Sequence, residues 1–284
     1  MEKGKIVRSF INDYIDLFTN TKQPRYKLRK NSGGQLRHCY ACGHSHEFVF
    51  KKIINDELAE KWGLNESLRK SFDIRESSQC TVCGSSLRSN LHARTICYLL
   101  APETSFLVEA VRDKEFRKLK IAEINACGAL HKLITDLPNL MYSEYMSADK
   151  KTRRENLDKL SYPSSYFDVV LTSETLEHVP DWRLAKREIH RVLKPGGHHI
   201  FTVPAVLTRR TRTRAVMQGE KVKKILPASY HGYNRGKTED YLVFNEFGSD
   251  FRKSIDELGF DTKIYYRNLL HLSDPNLVFV STKL

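Results

Sequence analysis

Residues 167–172 read FDVVLT, and residues 187–204 read REIHRVLKPGGHHIFTVP. The first is a short, unbroken apolar run, the mark of a strand buried on both faces. Between the two, Leu184, Ala185, Ile189, Val192 and Leu193 recur at helical spacing and fall on one face. Lys194-Pro195-Gly196-Gly197 stops that helix, and HHIFTVP is the next strand. Working outward, residues 119–124 form another short apolar run, 129–134 read as helix, and 140–145 read as a strand just past Pro138. Residues 246–258 read as a helix stopped at Gly259, and 262–266 and 276–282 as closing strands. Strands alternating with helices at this spacing predict an α/β fold with a parallel sheet covered on both faces. The alternation lapses over residues 205–247 into a polar, basic insertion.

The chain is long enough, at 284 residues, for one large domain with a small appendage. Its 47 Lys and Arg against 34 Asp and Glu leave a formal charge of +13, which draws polyanions or anionic small molecules. No run of about 18 apolar residues occurs and the N-terminal stretch has no secretory h-region, so the expectation is a cytoplasmic protein without a membrane span. Before residue 115 the pattern differs. Ile6, Phe10, Ile11, Tyr14 and Leu17 have helical spacing, residues 22–37 are basic and polar, and two cysteine pairs follow. The division expected is therefore a module over 1–114 and a sheet domain over 115–284.

Cys39-Tyr-Ala-Cys42-Gly43 and Cys80-Thr-Val-Cys83-Gly84 each read as a knuckle, a tight turn that aims two thiolates at one ion. Together Cys39, Cys42, Cys80 and Cys83 supply the four soft ligands of a closed, structural zinc site, with His44 and His46 as possible substitutes. A four-thiolate site leaves no position for a catalytic water. Cys97 lies in an apolar helical stretch, where a buried thiol is ordinary, and Cys127 reads as a small packing residue.

Residues 120–130 (KIAEINACGAL) form a strand ending in an acidic residue, then a small-residue turn into a helix. An open α/β sheet binds nucleotide-like ligands there, outside the carboxyl ends of its strands. Glu144 closes the next strand 21 positions after Glu123, which suits a carboxylate holding both ribose hydroxyls. Tyr145 beside it offers a flat face to a purine.

The succession 155–181 (ENLDKLSYPSSYFDVVLTSETLEHVPD) and 187–204 resembles the class I S-adenosylmethionine-dependent methyltransferases, over roughly residues 115–283. The cysteine pairs with Ser85-Ser-Leu-Arg88, Tyr230-His231-Gly232 and 242–248 (LVFNEFG) resemble a bacterial subgroup with an N-terminal zinc module. The resemblance implies a doubly wound, Rossmann-like sheet of seven strands. It implies that Glu123 lies beside the methionine moiety of S-adenosylmethionine, with the turn from Asn125 to Gly128 beneath it. Glu144 would hold the ribose, Tyr145 and Leu157 would flank the adenine, and the Asn156 carbonyl would accept from its amino group. Ser173 and Glu174 would line the sulfonium side. The family's Gly-x-Gly-x-Gly turn is reduced here to Gly128, with Asn125 and Ala129 able to supply the left-handed or close-packed positions.

Methyl transfer from a sulfonium mainly needs alignment, and a hydroxyl acceptor also needs a base. His178 at the pocket mouth and His231 in the insertion are the candidate catalytic residues, with Tyr230 and Tyr233 shaping a lid. Arg209, Arg210, Arg212, Arg214, Lys221, Lys223 and Lys224 form the densest basic segment, and the Arg-Thr-Arg-Thr-Arg alternation predicts a hairpin strand with arginines on one face. The expected activity is methyl transfer to an oxygen or nitrogen of a small-molecule or glycan-like acceptor, anionic in keeping with that segment. One alternative is a zinc-containing RNA methyltransferase, whose binding would fall steeply between about 50 and 200 mM salt, though no aromatic stacking signature accompanies the charge. The other is a non-catalytic protein that binds the cofactor or docks a partner.

Overall fold

The computed structural model describes residues 14–16, 36–53, 56–147, 149–230, 241–266 and 276–284. Sixteen strands occur among them: β1 (Tyr14–Asp16), β2 (Leu36–His38), β3 (Ser45–Phe50), β4 (Ser78–Cys80), β5 (Ile121–Ile124), β6 (Leu140–Glu144), β7 (Arg153–Arg154), β8 (Phe167–Ser173), β9 (Leu193–Thr202), β10 (Ala205–Val206), β11 (Arg212–Thr213), β12 (Ala215–Gln218), β13 (Lys221–Lys224), β14 (Asn245–Gly248), β15 (Phe260–Tyr266) and β16 (Leu277–Lys283). The helices are α1 (Asp56–Lys61), α2 (Glu66–Ser77), α3 (Leu87–Leu100), α4 (Leu107–Ala110), α5 (His131–Ile134), α6 (Trp182–Val192) and α7 (Phe251–Asp256), with short 3-10 turns at Gly128–Leu130 and Leu176–His178.

The main sheet runs β7-β6-β5-β8-β9-β16-β15, with β1 added beside β15. Strands β5 to β9 are mutually parallel and β16 is antiparallel to both neighbours. The expected seven strands are present, and the N-terminal segment contributes an eighth. Tyr14 to Asp16 form that edge strand rather than the helix predicted from their spacing; paired beside β15, their backbone groups are satisfied by the sheet. The other residues of that predicted helix lie outside the described residues.

Side chains on β8 alternate between two cores. Val170 joins Ile189, Val192, Phe201, Phe251 and Phe279 on one face. Val169 and Leu171 join Leu91, Ile96, Ile134, Ile200 and Val278 on the other. Asp181 opens α6 by accepting from the Arg183 and Leu184 amides at 3.0 Å each, worth about 1 kcal/mol. The Lys-Pro-Gly-Gly stretch behaves differently from the simple stop expected. Leu193 already pairs with Phe167, and the register then jumps so that Val169 meets His198, which leaves 194–197 as a bulge within β9. Residues 246–248, expected to be helical, belong to β14, and the helix starts at Phe251.

Cys39, Ala41 and Cys80 share the second core with α3 and with β5, β8, β9 and β16. The knuckles therefore pack into the sheet's own core, while Ala59, Trp62, Leu68 and Phe72 form a separate small cluster with Val206 of β10. Helix α3 is one of the sheet's covering layers, and α2 and the knuckles are mounted on it.

Candidate functional site

The strand order reverses between β5 and β8, since β6 and β7 extend one way from β5 while β9, β16 and β15 extend the other. At such a switch point the loops diverge and leave a crevice at the carboxyl ends. Asn125 and Gly128 both take left-handed backbone there, at φ 59° each. A Cβ on Gly128 would meet nothing closer than Ser89 Oγ at 3.5 Å, so the turn needs glycine for its φ rather than for space. Asn125 fills the left-handed role at the other glycine position and adds a bond that glycine lacks: its Oδ1 accepts from the Tyr145 amide at 3.0 Å. Its own amide donates to the Ser143 carbonyl at 2.8 Å, which ties the turn to β6.

Glu123 is fully buried, and both its oxygens are engaged. Oε1 accepts from the Cys127 amide at 2.8 Å and Oε2 meets His131 Nδ1 at 2.6 Å. That hydrogen bond raises the His131 pKa, against the effect of burial. Glu123 thus acts on the crevice through the turn it braces. Glu144 is half-buried at the end of β6 and accepts from the Tyr142 hydroxyl, while its carbonyl takes the Glu155 amide. Tyr145 is exposed at the rim, and Asn156 is exposed with its Oδ1 closing a turn on the Asp158 amide at 3.0 Å. Leu157 is buried in the first core.

On the β8 side the crevice is walled by the N-terminal module. Arg75 of α2 is buried and bonds Glu174 through Nη2–Oε1 at 2.8 Å and Nη1–Oε2 at 3.3 Å. Glu76 bridges Arg75 (2.6 Å) and Arg88 (3.0 and 3.1 Å), and Arg88 also reaches Ser173 Oγ and lies 3.7 Å from Glu174. Ser173 Oγ meets Thr202 Oγ1 at 2.9 Å. Two arginines thus balance two glutamates. Burial alone would raise the Glu174 pKa, but the charges of Arg75 and Arg88 outweigh it and hold it down at about 2. The same pairing stabilises Glu174 at φ 49°, a conformation rarely taken outside glycine. Arg88 therefore sets a cation in the crevice between the Cys127 turn and Ser173, able to take a ligand carboxylate. Sequence reasoning quoted the Ser85–Arg88 motif without assigning it this place.

His178 is buried. Its Nδ1 donates to the Leu242 carbonyl at 3.1 Å, so Nε2 is the unprotonated nitrogen, 3.6 Å from Glu177 Oε1. Burial pushes its pKa down to about 4, which keeps the imidazole neutral and basic in form at pH 7. His231 and Tyr233 lie outside the described residues.

The four thiols meet as expected. Cys39, Cys42, Cys80 and Cys83 bring their Sγ atoms within 4.8 Å of one another, with Cys39–Cys83 at 3.5 Å and Cys42–Cys80 at 3.8 Å. A tetrahedral ion bonded to sulfur at about 2.3 Å requires sulfur separations of about 3.8 Å, so this donor set fits zinc. Each knuckle closes alike: the Gly43 and Gly84 amides donate to the Cys39 and Cys80 carbonyls, and the Cys39 and Cys80 amides donate to the His44 and Ser85 carbonyls. Among the described residues no histidine joins the cluster. Asn90 of α3 clamps the first knuckle, accepting from the Tyr40 amide and donating to the His38 carbonyl.

The arginine segment does not form the one-faced strand expected. Arg209, Arg212 and Arg214 all converge on Glu246 of β14, at 3.1, 2.5 and 2.5 Å, and Arg209 Nη1 donates to the Trp62 carbonyl at 2.9 Å. The hairpin lies just after them, as β12 and β13, with Lys221, Lys223 and Lys224 exposed. Beside the cluster a groove of about 470 Å³ runs between Arg212, Arg214, Leu226 and Pro227 on one side and Glu57, Glu60 and Gly63 on the other.

Residues 127–201 match the family model described as a methyltransferase domain. That span is similar to a methyltransferase domain. The matched span includes Gly128, Glu144 and β8 but not Glu123, Asn125 or the arginines of the N-terminal region. Over 71 residues the chain is 37% identical to a ubiquinone biosynthesis O-methyltransferase of Vibrio cholerae, covering 24% of this chain and 28% of that protein. A protein of the same name from Ruegeria pomeroyi is 30% identical over 104 residues, 36% of this chain and 41% of its own length. The chain spans well under half the length of these curated relatives. Among solved structures, an S-adenosylmethionine-dependent methyltransferase from Mesorhizobium loti aligns over 58% of this chain and 91% of its own, at 16% identity and TM-score 0.38. No helix among the described residues is long and apolar enough to cross a membrane.

Proposed function

We propose that the chain transfers a methyl group from S-adenosylmethionine to an oxygen or nitrogen of a small-molecule or glycan-like acceptor, with a structural zinc in its N-terminal module. The observation that carries the reading is the crevice at the β5/β8 switch point. Its floor is a turn held left-handed at Asn125 and Gly128, and the half-buried Glu144 and the cation of Arg88 stand at its sides. Glu144 is suited to the ribose hydroxyls, Tyr145 and Leu157 to the adenine, and Arg88 to the methionine carboxylate. Ser173 and Glu174 stand on the sulfonium side. When bound, the cofactor supplies an activated methyl group, so the chain's residues need only orient it and the acceptor. His178, neutral and with Nε2 unprotonated, is the base available to a hydroxyl acceptor. An anionic group on the acceptor finds Arg212 and Arg214 in the groove. The thiolates of Cys39, Cys42, Cys80 and Cys83 fill all four zinc positions, which gives the metal a structural rather than a catalytic role.

Titration calorimetry of the zinc-replete chain with S-adenosylhomocysteine tests the reading, paired with metal analysis of the purified protein. Saturable binding and one zinc per chain are expected. Absence of binding by folded, zinc-loaded protein sinks it.

A further inference from the structure

Glu177 follows β8 by four residues and is 1% exposed, yet among the described residues neither carboxyl oxygen has a hydrogen-bond partner, His178 Nε2 standing off at 3.6 Å. An orphaned buried carboxyl costs about 1–3 kcal/mol, so a fold that retains one leaves a place for a partner to come from outside. The residue lines a cavity of about 10 Å³, the room needed for one water molecule. Trp62 and Phe72, edge to face at 5.5 Å, and Val206 make the wall apolar. Arg209 lines the same cavity, and its Nε is also buried without a partner. Two residues that carry an orphaned acceptor and an orphaned donor therefore line one space of hydroxyl size.

We propose that this cavity is the seat of the acceptor's reacting hydroxyl group, with Glu177 as the residue that selects it. The inference rests on the methyltransferase reading and narrows its acceptor from oxygen or nitrogen to a hydroxyl. A hydroxyl both donates, to a Glu177 oxygen, and accepts, from the Arg209 N–H. An ammonium group has three donors and no acceptor, and it would enter beside the cations of Arg75, Arg88 and Arg209. Burial first, and the charge of Glu174 second, push the Glu177 carboxyl well above the usual carboxylate range, so it offers a cation no countercharge at pH 7. The apolar walls contributed by Trp62, in the turn after α1, and Phe72 of α2 make the module part of the acceptor's seat, and they favour a hydroxyl carried on an apolar or aromatic body.

Phenol, toluene and benzylammonium serve as probes. Each is titrated into the full chain with and without saturating S-adenosylhomocysteine, by calorimetry and by tryptophan emission, since Trp62 lines the cavity. Phenol is expected to bind about tenfold more tightly than toluene, the equivalent of one charge-assisted hydrogen bond, with benzylammonium weakest. Glu177→Leu should bring phenol down to the affinity of toluene and leave toluene within about twofold, and it should unfold no earlier than the wild type because it removes an orphan. Glu177→Gln, which keeps a donor and an acceptor, should hold phenol within about threefold. Equal binding of phenol and toluene by the wild type, tightest binding of benzylammonium, or unchanged phenol binding by the Leu variant each overturns the proposal. Failure to bind S-adenosylhomocysteine concerns the methyltransferase reading instead, and the cofactor-free arm separates the two.

Discussion

Two arginine–glutamate clusters join the N-terminal module to the sheet, and they are built on different arithmetic. At the crevice, Arg75 and Arg88 face Glu76 and Glu174, two charges against two, with Arg75 buried. At the insertion, Arg209, Arg212 and Arg214 share Glu246 as their ion-pair partner among the described residues, with Glu57 and Glu60 lining the same groove, and Arg212 is 41% exposed. A balanced, desolvated cluster holds geometry, because any single loss strands a charge in a low dielectric. An unbalanced cluster with an open side retains cationic field for something else. The module is fastened by the first and presents the second to solvent.

Chelating the zinc proposed for the four thiols is expected to have the largest effect on this contrast. Cys83 is two residues from Ser85, whose hydroxyl lies 3.1 Å from its sulfur, and Ser86 then caps α3 just ahead of Arg88. Chelation should therefore loosen the balanced cluster and leave the Glu246 cluster in place. It should be read as a lower melting temperature together with four additional thiols reactive to Ellman's reagent. Unchanged melting with four thiols already free would mean that the ion has no part in the fold.

Arg75→Met comes next. It leaves Glu174 buried with Arg88 only, and about 3–5 kcal/mol should be lost in urea unfolding. The pH dependence follows from the same group. The Glu174 carboxyl is depressed from 4.5 to about 2 in the folded chain, so its stabilisation is complete above the unfolded value and drains as pH falls from about 4.5 toward 2. In Arg75→Met that acid-limb slope should flatten, and an unchanged slope would move the cause elsewhere.

Glu246→Gln is expected to cost less, about 2 kcal/mol, because only Arg214 among its partners is buried to 3% exposure. The loss should shrink on adding phosphate, as an anion replaces the carboxylate among the three guanidinia. A loss indifferent to phosphate would show the cluster to be a second fastening rather than an anion site. Arg212→Ala should change stability by under about 1 kcal/mol, given its exposure, and lower only the response to phosphate.

Much of the sheet was legible because parallel strands buried on both faces leave unbroken apolar runs, as at 167–172, and because glycine and proline mark their ends. The errors have physical causes too. Residues 14–16 take strand geometry from the ladder with β15, and three residues carry too little local preference to announce that. Residues 246–248 were read with the helix that follows because a periodicity cannot show where a short strand stops and a helix starts. At the site, the knuckles were legible from Cys-x-x-Cys spacing, and the turn and Glu144 from their position at strand ends. Arg75, Trp62 and Glu177 were not, since nothing in a helix-borne arginine or a turn glutamate marks it until distant segments meet. Arg75 and Glu174 are 99 positions apart, and Trp62 meets Ser229 across 167.

The sequence by itself determined the class of fold, the two Cys-x-x-Cys knuckles and the strand-end turn, each of which depends on residues close together in the chain. Only the tertiary structure decided that the knuckles share the sheet's core, that three arginines of the basic segment converge on one glutamate, and that the Glu177 carboxyl lines a cavity with Trp62. Those are outcomes of burial and charge pairing among segments far apart, where the cost of desolvation, rather than local preference, selects which groups must meet.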